Sequence, residues 1–342
     1  MPDSLGRSKN GSESICCILN PNSRGGRGGA IAGRLKRALD ATFEQWSVVE
    51  TEYPGHASEL AREAVEGGVD IVAAVGGDGT CHEVVNGLFD GRSPRARRVV
   101  FAVIPSGTGS DLSRSLRVPS RLEEALWIAS TGMTLHADVG YASFTGPNGD
   151  QLQRCFINAA GFGANGDVAE RANNSGKLGG GRITFLRATL ASLFSYSPGE
   201  VDVRWGVGEE ASGEWSRTLL SAFIMNGLWC GGGMYLGKGG SMHDGRFNLT
   251  LLPDMPPAVS AARSWRLYGG TVGVIPGVEQ DQPAWVEAKP LAGQEVLLEL
   301  DGERLGVLPA RFEVLPSALQ VRGGWLKSPL APDEDEEWSA GG

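Results

Sequence analysis

The sequence lacks the patterns that mark several common classes of protein. Its five cysteines contain no Cys-x-x-Cys pair and its four histidines no His-x-x-x-His pair, so neither a zinc site nor a disulfide framework is indicated. No apolar run approaches the roughly 18 residues of a membrane span, and residues 1–10 lack the apolar stretch of a secretory leader. There is no basic excess either, which argues against general nucleic-acid binding. These absences predict a cytoplasmic protein that works from the aqueous phase.

The composition favours a folded chain with two domains and an acidic tail. The 342 residues exceed the usual length of one domain, and 41% hydrophobic residues suffice for a sizeable core. Five of the nine excess negative charges lie within residues 331–342, and we expect residues 328–342 to be disordered. Glycine is abundant, with 51 residues gathered into several runs. Such runs serve either tight turns or close approach of the backbone to a ligand.

Residues 14–138 carry the pattern of an α/β domain. Short apolar runs, typical of buried strands, alternate with segments of helical periodicity, which predicts a parallel sheet with flanking helices. The predicted strands span 15–19, 46–50, 71–75 and 99–104, and the predicted helices span 31–39, 57–66 and 82–88. Ligands of such sheets bind at the C-terminal ends of the strands. We therefore expect a ligand site in the loops that follow these strands.

Residues 139–315 change to turn-rich, alternating segments, which predicts a mainly antiparallel β-sandwich domain. The predicted strands include 154–160, 201–207, 219–226, 247–252 and 295–300. Two helical segments interrupt them, at 183–194 and 258–268. The apolar stripe of the first segment favours packing against the sheet, while contact of that helix with a membrane stays open.

The segment Gly76-Gly77-Asp78-Gly79-Thr80 follows the third predicted strand and precedes a helix. Glycines in this position let successive N–H groups turn toward an anion, and the helix N-terminus adds partial positive charge. A phosphate group fits such a site. Asp78 could contact a phosphate favourably only through a cation, so we assign it to Mg²⁺ or a ribose. The same five residues would also make an ordinary tight turn.

Two more loops of similar composition follow neighbouring strands. The first strand runs into the segment 20–24, Asn-Pro-Asn-Ser-Arg, and the fourth runs into 105–111, Pro-Ser-Gly-Thr-Gly-Ser-Asp. Three such loops at one sheet edge predict a nucleotide site. Neither the phosphate-loop pattern ending in Gly-Lys-Ser/Thr nor Gly-x-Gly-x-x-Gly opens the first helix. Ordinary phosphate-loop and dinucleotide-binding proteins are therefore disfavoured.

Together these loops resemble the nucleotide loops of diacylglycerol-kinase-like bacterial lipid kinases, a family related to sphingosine kinases. The resemblance continues through Gly-Gly-Gly-Met at 231–234, Asp-Gly at 244–245 and Asp-Gly-Glu at 301–303. It implies an α/β nucleotide domain of the NAD-kinase and diacylglycerol-kinase type, a β-sandwich domain for the lipid substrate, and a cleft between them. It also implies that residues 316–327 return to complete the first domain.

The resemblance also assigns roles to individual residues. The positions that hold or organise ATP are Asn20, Pro21, Asn22, Ser23, Arg24, Thr51, Gly76, Gly77, Asp78, Gly79, Thr80, Cys81, His82, Gly107, Thr108 and Asp111. Glu303 falls on the family's proton acceptor. The side chain of Asp244, with the carbonyls of Ser241 and Arg246, falls on a structural Mg²⁺ site. ATP and Mg²⁺ are thus the implied cofactors.

Glu303 also has an interpretation that needs no catalysis. Asp301-Gly302 is a strong two-residue hairpin signal, which would leave Glu303 as a surface charge. A hairpin tip can equally present a base to a cleft. A carboxylate suits the implied chemistry, because a lipid hydroxyl is a poor nucleophile until its proton is accepted.

The chain departs from the family pattern at several positions. Cys81 and His82 replace the usual Leu-Asn, and Ser110 replaces an Asn before Asp111. Hydroxyl and imidazole groups still form hydrogen bonds, so ATP binding survives these changes. Residues 238–241 lack the usual Pro and acidic residue, which weakens the expectation of a bound structural metal.

The sequence therefore predicts a Mg²⁺-dependent lipid kinase that transfers the γ-phosphate of ATP to a hydroxyl of a lipid such as diacylglycerol. The lipid would be met by peripheral association with the inner face of a membrane, and a homodimer is left open. One alternative is an NAD kinase-like enzyme, disfavoured because Asn158 and Asn226 are followed by Ala and Gly rather than by an acidic residue. Another is a catalytically silent nucleotide-binding regulatory protein.

Overall fold

The computed structural model describes residues 13–23, 31–106, 110–168, 196–291 and 293–324. Two predicted segments, the helix at 183–194 and the acidic tail at 328–342, lie outside the described residues. Three predicted nucleotide residues, Arg24, Gly107 and Thr108, also lie outside them. The remaining predicted site residues can all be placed in the fold.

The first half of the chain forms a layered α/β unit. Its elements are β1 (Ile15–Leu19), α1 (Ala32–Thr42), β2 (Trp46–Glu50), α2 (His56–Glu66), β3 (Ile71–Gly76), α3 (Asp78–Leu88), β4 (Phe89–Asp90), β5 (Ser93–Pro94), β6 (Val100–Pro105), α4 (Asp111–Ser115) and α5 (Leu122–Thr131). β1 pairs in parallel with β2 and β3, and β3 pairs in parallel with β6. Every residue of β1, β3 and β6 is buried, as their continuous apolar runs require. The carboxyl ends of these strands therefore lie side by side.

Helix α3 begins earlier than its periodicity predicts. The expected start is residue 82, whereas the helix begins at Asp78, directly after Gly77 in an extended conformation (φ −99°, ψ −171°). The glycine-rich segment is therefore largely the first turn of a helix rather than an open loop. Helix α3 packs closely on α2, because a Cβ on Gly87 would lie 2.2 Å from the carbonyl oxygen of Ser58. A residue with a side chain would force these two helices apart.

The second half forms a β-sandwich with a short helical segment on one side. Its elements are β7 (Met133–Thr145), β8 (Gln151–Phe156), β9 (Ala159–Gly163), β10 (Gly199–Gly206), β11 (Ala211–Met225), β12 (Trp229–Cys230), β13 (Met234–Tyr235), β14 (Asn248–Pro253), α6 (Pro257–Arg263), α7 (Trp265–Tyr268), a 3-10 helix (Val272–Val274), β15 (Glu279–Asp281), β16 (Trp285–Pro290), β17 (Leu297–Leu300) and β18 (Glu303–Gly323). Antiparallel pairing joins β10, β11, β14 and β16, and likewise β9, β17 and β18. In its core, Phe312 contacts both Phe156 and Phe162.

Two predicted elements of this half are divided in the structure. The predicted strand 154–160 is the end of β8 and the start of β9, broken at Ile157 and Asn158. The N–H groups of these two residues donate to the carboxylate of Asp301 instead of to a neighbouring strand. The predicted helix 258–268 is α6 followed by α7, with Ser264 between them. The strand prediction was wrong at the break because its cause lies 143 residues further along the chain.

Strand β18 joins the two halves into one sheet. It runs for 21 residues, and it pairs antiparallel with β7, β16 and β17. Near its end, Gln320 and Val321 pair in parallel with β6 of the first half. The result is a continuous 14-stranded sheet. Because β18 begins at Glu303, a single strand connects that residue to the sheet of the α/β unit.

Candidate active site

Four strand ends, those of β1, β2, β3 and β6, meet at one edge of the parallel sheet. The N–H of Asn20, after β1, donates to the carbonyl of Val75 in β3 at 3.1 Å. The N–H of Ser106, after β6, donates to the carbonyl of Gly76 at 2.8 Å. The N–H of Thr51, after β2, donates to the last residue of β1 at 2.9 Å. The predicted nucleotide loops that the structure describes are therefore neighbours in space.

Polar side chains from these loops contact one another. The side-chain amide of Asn20 donates to Thr80 Oγ1 at 3.2 Å, and Ser23 Oγ lies 3.4 Å from Ser106 Oγ. The amide oxygen of Asn20 accepts the N–H of Asn22 at 2.9 Å, which closes the turn after β1. Amide and hydroxyl groups that could bind a nucleotide are thus gathered at this edge.

The first turn of α3 provides a site for an anion. Asp78, Gly79 and Thr80 make up this turn, so their N–H groups have no helical carbonyl partner four residues earlier. Glycine is needed just before it, because a Cβ on Gly76 would lie 2.3 Å from Thr80 Oγ1. A phosphate fits beside such a helix end, where the N–H groups and the helix dipole act together.

Asp78 and Asp111 connect this turn to two other segments. The carboxylate of Asp78 accepts the N–H groups of Asp111 and Leu112, at 3.4 and 3.2 Å, at the start of α4. Burial raises the pKa of Asp78, although these two hydrogen bonds oppose the shift. Asp111 pairs with Arg114 at 2.7 Å and accepts the N–H of Gly232 at 2.6 Å. The triple-glycine segment of the second half is thereby held against the nucleotide edge.

The side chains of Cys81 and His82, both predicted to lie at the nucleotide, are in the interior. Burial raises the pKa of the Cys81 thiol well above its ordinary value. His82 Nδ1 lies 2.9 Å from Asp301 Oδ2, and both side chains are almost fully buried. The carboxylate of Asp301 also accepts the three N–H groups of residues 157–159, at 3.1, 2.9 and 3.0 Å. The imidazole therefore holds the β17–β18 hairpin against α3, a role that the sequence pattern does not indicate.

The hairpin presents Glu303 to the first turn of α3. Asp301 and Gly302 have φ angles of +50° and +84°, as in the two-residue turn expected for Asp-Gly, and Leu300 pairs with Glu303 across it. Glu303 Oε1 lies 2.8 Å from the position that a Cβ on Gly79 would occupy. The Asp-Gly-Glu segment is therefore a tight turn, and the turn also places a carboxylate at the nucleotide edge.

A second carboxyl group beside this turn is absent from the sequence-based site. Glu299 in β17 is 8% exposed, and its Oε2 accepts the N–H of Gly302 at 2.8 Å. Burial, with the nearby charges of Asp301 and Glu303, raises the pKa of Glu299 to about 8. A signal does exist in the sequence, since Glu299 is a lone acidic residue within the strand Leu-Leu-Glu-Leu. Acidic residues in such strands are rarely buried without a specific role.

An apolar pocket, also absent from the sequence-based site, lies where α6 and α7 cover β11 and β14. It encloses about 60 Å³ of free space. Most of its wall is hydrocarbon, with lining residues that include Leu220, Phe223, Met234, Leu252, Leu267 and Ile275. Asn165 and Ser221 are polar members of the same wall. A pocket of this composition suits a hydrophobic ligand that carries a few polar groups.

In the predicted metal loop, the carboxylate of Asp244 accepts hydrogen bonds from the backbone of the loop itself. Asp244 accepts the N–H of Ser241 at 2.9 Å and of Arg246 at 3.0 Å, so both carboxylate oxygens are engaged. The carboxylate of Asp138 accepts the N–H of Gly245 at 2.7 Å, and burial followed by the charge of Asp244 raises its pKa. Across the described ranges, no three His, Cys, Asp or Glu side chains gather as metal ligands would. The predicted metal ligands are one carboxylate and two backbone carbonyls, which such a gathering of side chains would not include, and the metal there stays a prediction from the resemblance.

The two asparagines that were compared with the ribose-binding pairs of NAD kinases have structural contacts. Asn226 Nδ2 donates to the carbonyls of Asp138 and Ile157 at 2.9 and 2.6 Å. Asn158 Nδ2 donates to the carbonyl of Trp229 at 2.8 Å. Both side chains are buried, and these bonds tie neighbouring segments of the second half together.

Comparison with known proteins also divides the chain into two parts. Residues 14–142 match the family model of the diacylglycerol kinase catalytic domain, and residues 158–323 match that of the YegS C-terminal NAD kinase beta sandwich-like domain. A relative from Escherichia coli named "Probable lipid kinase YegS" is 28% identical over 273 residues, which cover 78% of this chain and 83% of the relative. A relative of the same name from Salmonella gallinarum is 29% identical over 275 residues, with the same coverage.

A solved structure has a similar fold. The structure titled "A putative diacylglycerol kinase from Bacillus anthracis str. Sterne" has a TM-score of 0.69 and 22% sequence identity, and the match covers 91% of this chain and 97% of that one. The two family models account for both halves of the chain in the same order. The chain therefore belongs to the diacylglycerol-kinase-like family of kinases, which are phosphotransferases with an alcohol acceptor.

Proposed function

We propose that the protein is a lipid kinase, which transfers the γ-phosphate of ATP to a hydroxyl group of a lipid such as diacylglycerol. The observation that carries this proposal is the position of Glu303, whose carboxylate lies against Gly79 in the first turn of α3. A proton acceptor is thereby placed beside the helix end that fits a phosphate. Transfer of a phosphoryl group to a hydroxyl needs both functions in one site.

ATP would lie along the edge formed by these strand ends. Its phosphates would contact the N–H groups of the first turn of α3, and the side chains of Asn20 and Thr80 would donate further hydrogen bonds. From the family resemblance, Arg24, Gly107 and Thr108 are proposed to complete the site. Because backbone and hydroxyl groups would bind the phosphates, the proposed site does not require the lysine of a phosphate loop.

Mg²⁺ would be held between the nucleotide and Asp78. The carboxylate of Asp78 lies at the start of α3, and a cation there would offset the cost of burying its negative charge. Mg²⁺ commonly takes one or two carboxylates and completes its shell with phosphate oxygens and water, so a larger cluster of protein ligands is not required. When bound, the ion neutralises part of the charge on the transferred phosphate.

Glu303 is proposed to act as the general base. As the lipid hydroxyl attacks, a bond forms between its oxygen and the γ-phosphorus, the bond from phosphorus to the ADP oxygen breaks, and the hydroxyl proton passes to Glu303. The adjacent Asp301 is held by His82 and by the N–H groups of 157–159, which keeps the turn in place. The protein then contributes mainly position and electrostatic stabilisation.

The apolar pocket supports a lipid acceptor over a nucleotide acceptor. It opens among the side chains of β11, β14, α6 and α7, whose hydrocarbon surface gains free energy when it covers an acyl chain. A dinucleotide would leave such a wall in contact with polar groups, which is unfavourable. The pocket therefore supports a lipid rather than NAD as the acceptor.

The proposed activity is tested by transfer of labelled γ-phosphate from Mg-ATP to a panel of lipids in mixed micelles, with free NAD as a parallel acceptor. We expect label on a lipid with a free hydroxyl and none on NAD. Label on NAD alone would favour the NAD kinase alternative. ATP binding without transfer to any acceptor would favour a silent nucleotide-binding protein and would contradict the proposal.

We further propose that α6, α7 and the 3-10 helix meet the surface of an anionic membrane. Residues 255–278 contain Arg263 and Arg266 but no acidic residue, in a chain with net charge −9. Trp265 and Val274 are 59% and 64% exposed on this surface, which also covers the apolar pocket. An exposed tryptophan beside arginines suits the interface between lipid headgroups and acyl chains. Within the described ranges, no helix combines the length and apolarity needed to cross a bilayer.

Replacing Trp265 by alanine is expected to weaken binding to anionic vesicles about 10–100-fold, since burial of a large apolar side chain contributes about 1.5–3 kcal/mol. Co-sedimentation with phosphatidylglycerol-containing vesicles measures the effect. Trp127→Ala is the matched control, because Trp127 is an exposed tryptophan of α5 in the other half of the protein. Equal loss in both variants would exclude this surface as the membrane contact.

A further inference from the structure

We propose that a polar pocket beside β13 binds the phosphoethanolamine headgroup of a membrane phospholipid, with Lys238 at the phosphate and Asp281 at the ammonium group. A diacyl phospholipid with this headgroup has no free hydroxyl, so it would be a second bound lipid and not the acceptor. The inference therefore goes beyond the proposed lipid kinase activity, because it adds a site for a lipid that is not phosphorylated.

The polar pocket has room for a small ligand. It encloses about 230 Å³ of free space, compared with about 60 Å³ in the apolar pocket. Pockets for drug-sized ligands measure about 300–1,000 Å³, so this volume suits a smaller group such as a headgroup. The polar members of its wall are Tyr235, Lys238, Asn248, Gln280, Asp281 and Gln282.

Two opposite charges in this wall are available to a ligand. Among the residues that the structure describes, neither Lys238 nor Asp281 takes part in an ion pair, and both are exposed. Trp205 Nε1 donates to Asp281 Oδ2 at 2.6 Å, and the N–H of Gln282 donates to Oδ1 at 2.7 Å. Both donors are uncharged, so they orient the carboxylate without neutralising it. Each of its oxygens keeps a lone pair for a further donor.

Amide side chains between these charges are held in place by one another. Gln282 Nε2 donates to Asn248 Oδ1 at 3.0 Å, and Gln280 Nε2 donates to Thr250 Oγ1 at 3.1 Å. The Asn248 side chain is largely buried, at 8% exposed, and its Nδ2 donates to no acceptor in the described part of the chain. A phosphate oxygen offers only acceptor lone pairs, so it complements this NH₂ group as well as the lysine.

The combination of charges selects among headgroups. A ligand with only negative groups would meet repulsion from Asp281, and one with only positive groups would meet repulsion from Lys238. Phosphoethanolamine carries one charge of each sign, and its ammonium group has three N–H donors for the carboxylate. Phosphocholine carries the same two charges, but its quaternary nitrogen has no N–H. The pocket therefore favours ethanolamine over choline and over purely anionic headgroups.

The position of the pocket agrees with a ligand that comes from the membrane. β13 separates the two pockets, since Met234 lines the apolar one and Tyr235 lines the polar one. Gly270 and Val272 in the wall of the polar pocket belong to residues 255–278, the segment proposed above to meet a membrane. A headgroup bound here would orient the protein with its apolar pocket beside the bilayer.

The first test is calorimetric titration of the protein with glycerophosphoethanolamine and with glycerophosphocholine, in the absence of ATP and acceptor. We expect glycerophosphoethanolamine to bind roughly 3–10-fold more tightly, the effect of about one hydrogen bond. Equal affinity for the two compounds would overturn the inference. Equally tight binding of glycerol would show a site for polyols and would overturn it as well.

Three variants connect this preference to the pocket. Asp281→Asn should bind the two compounds equally, because it lacks the charge that attracts the N–H donors of the ammonium group. Lys238→Gln should bind both compounds less tightly, by a similar 3–10-fold, because both carry the phosphate. Lys289→Gln is the control, since Lys289 is a 64% exposed lysine of β16, outside the pocket. Unfolding midpoints in urea check that each variant is folded, and unchanged affinity in folded Lys238→Gln would contradict the proposed phosphate contact.

Vesicles distinguish a membrane lipid from a soluble compound with the same chemistry. Co-sedimentation compares phosphatidylglycerol vesicles that contain either phosphatidylethanolamine or phosphatidylcholine as the second lipid. We expect tighter binding to the ethanolamine vesicles, and no such difference for Asp281→Asn. A preference in solution without a preference on vesicles would overturn the assignment to a membrane lipid. No step of these tests needs phosphoryl transfer, so failure to phosphorylate any lipid would overturn the proposed function alone.

Discussion

Replacing Glu303 by glutamine is expected to lower kcat by about 10²–10⁴-fold and to leave the affinity for ATP nearly unchanged. Glutamine has the size of glutamate but cannot accept the hydroxyl proton during transfer. Glutamine keeps a polar side chain of the same length beside Gly79, so the nucleotide should still bind. The loss should therefore appear in the chemical step.

The measurement combines steady-state transfer of labelled phosphate with calorimetric titration of Mg-ATP. Glu295→Gln removes an exposed carboxylate shortly before β17 and should retain normal turnover. Near-normal turnover in Glu303→Gln would remove Glu303 as the base. A large loss of ATP affinity would instead assign its carboxylate to nucleotide binding.

Replacing Asp301 by alanine is expected to lower the free energy of unfolding by about 3–5 kcal/mol, the range for breaking a buried charged network. Its carboxylate accepts the three N–H groups of residues 157–159 and contacts His82 Nδ1 at 2.9 Å. Alanine would leave three backbone donors and an imidazole without this acceptor, in a region closed to water. It would also release the hairpin from α3, so activity should fall as well.

Urea unfolding followed by tryptophan fluorescence measures this change. Asp90→Ala is the control, because Asp90 has a side chain that is 80% exposed and a loose contact of 3.7 Å with Arg95. The Asp90→Ala substitution should lower the free energy of unfolding by less than about 1 kcal/mol. Asp301→Asn should fall between the two variants, since its amide oxygen still accepts hydrogen bonds but carries no charge. Equal unfolding midpoints for Asp301→Ala and Asp90→Ala would show that the network contributes little.

Much of the local structure could be predicted from the sequence. Strands β1 and β2 span 15–19 and 46–50 as predicted, because a short apolar run between polar segments is a local signal. The Asp301-Gly302 turn was also predictable, since its two positive φ angles favour this residue pair wherever it occurs. The glycine-rich loops after the strands are likewise visible in the sequence, and the parallel pairing of the strands brings them together.

Other features could not be predicted because their causes lie far apart in the chain. His82 was expected at the nucleotide, yet it contacts a carboxylate 219 residues away. The break between β8 and β9 has the same distant cause, since Asp301 takes the N–H groups that would otherwise continue the strand. Glu299 resembles any strand glutamate until its burial and its acidic neighbours are known.

By itself the sequence determined the positions of several strands and the Asp-Gly turn, because each depends on residues that are adjacent in the chain. The tertiary structure alone decided that Glu303 meets Gly79, that α6 and α7 cover an apolar pocket, and that burial raises the pKa of Glu299. These properties depend on burial and on distances between separate segments. The approach of Glu303 to Gly79 also requires the two halves to be joined, as they are where β18 pairs with β6.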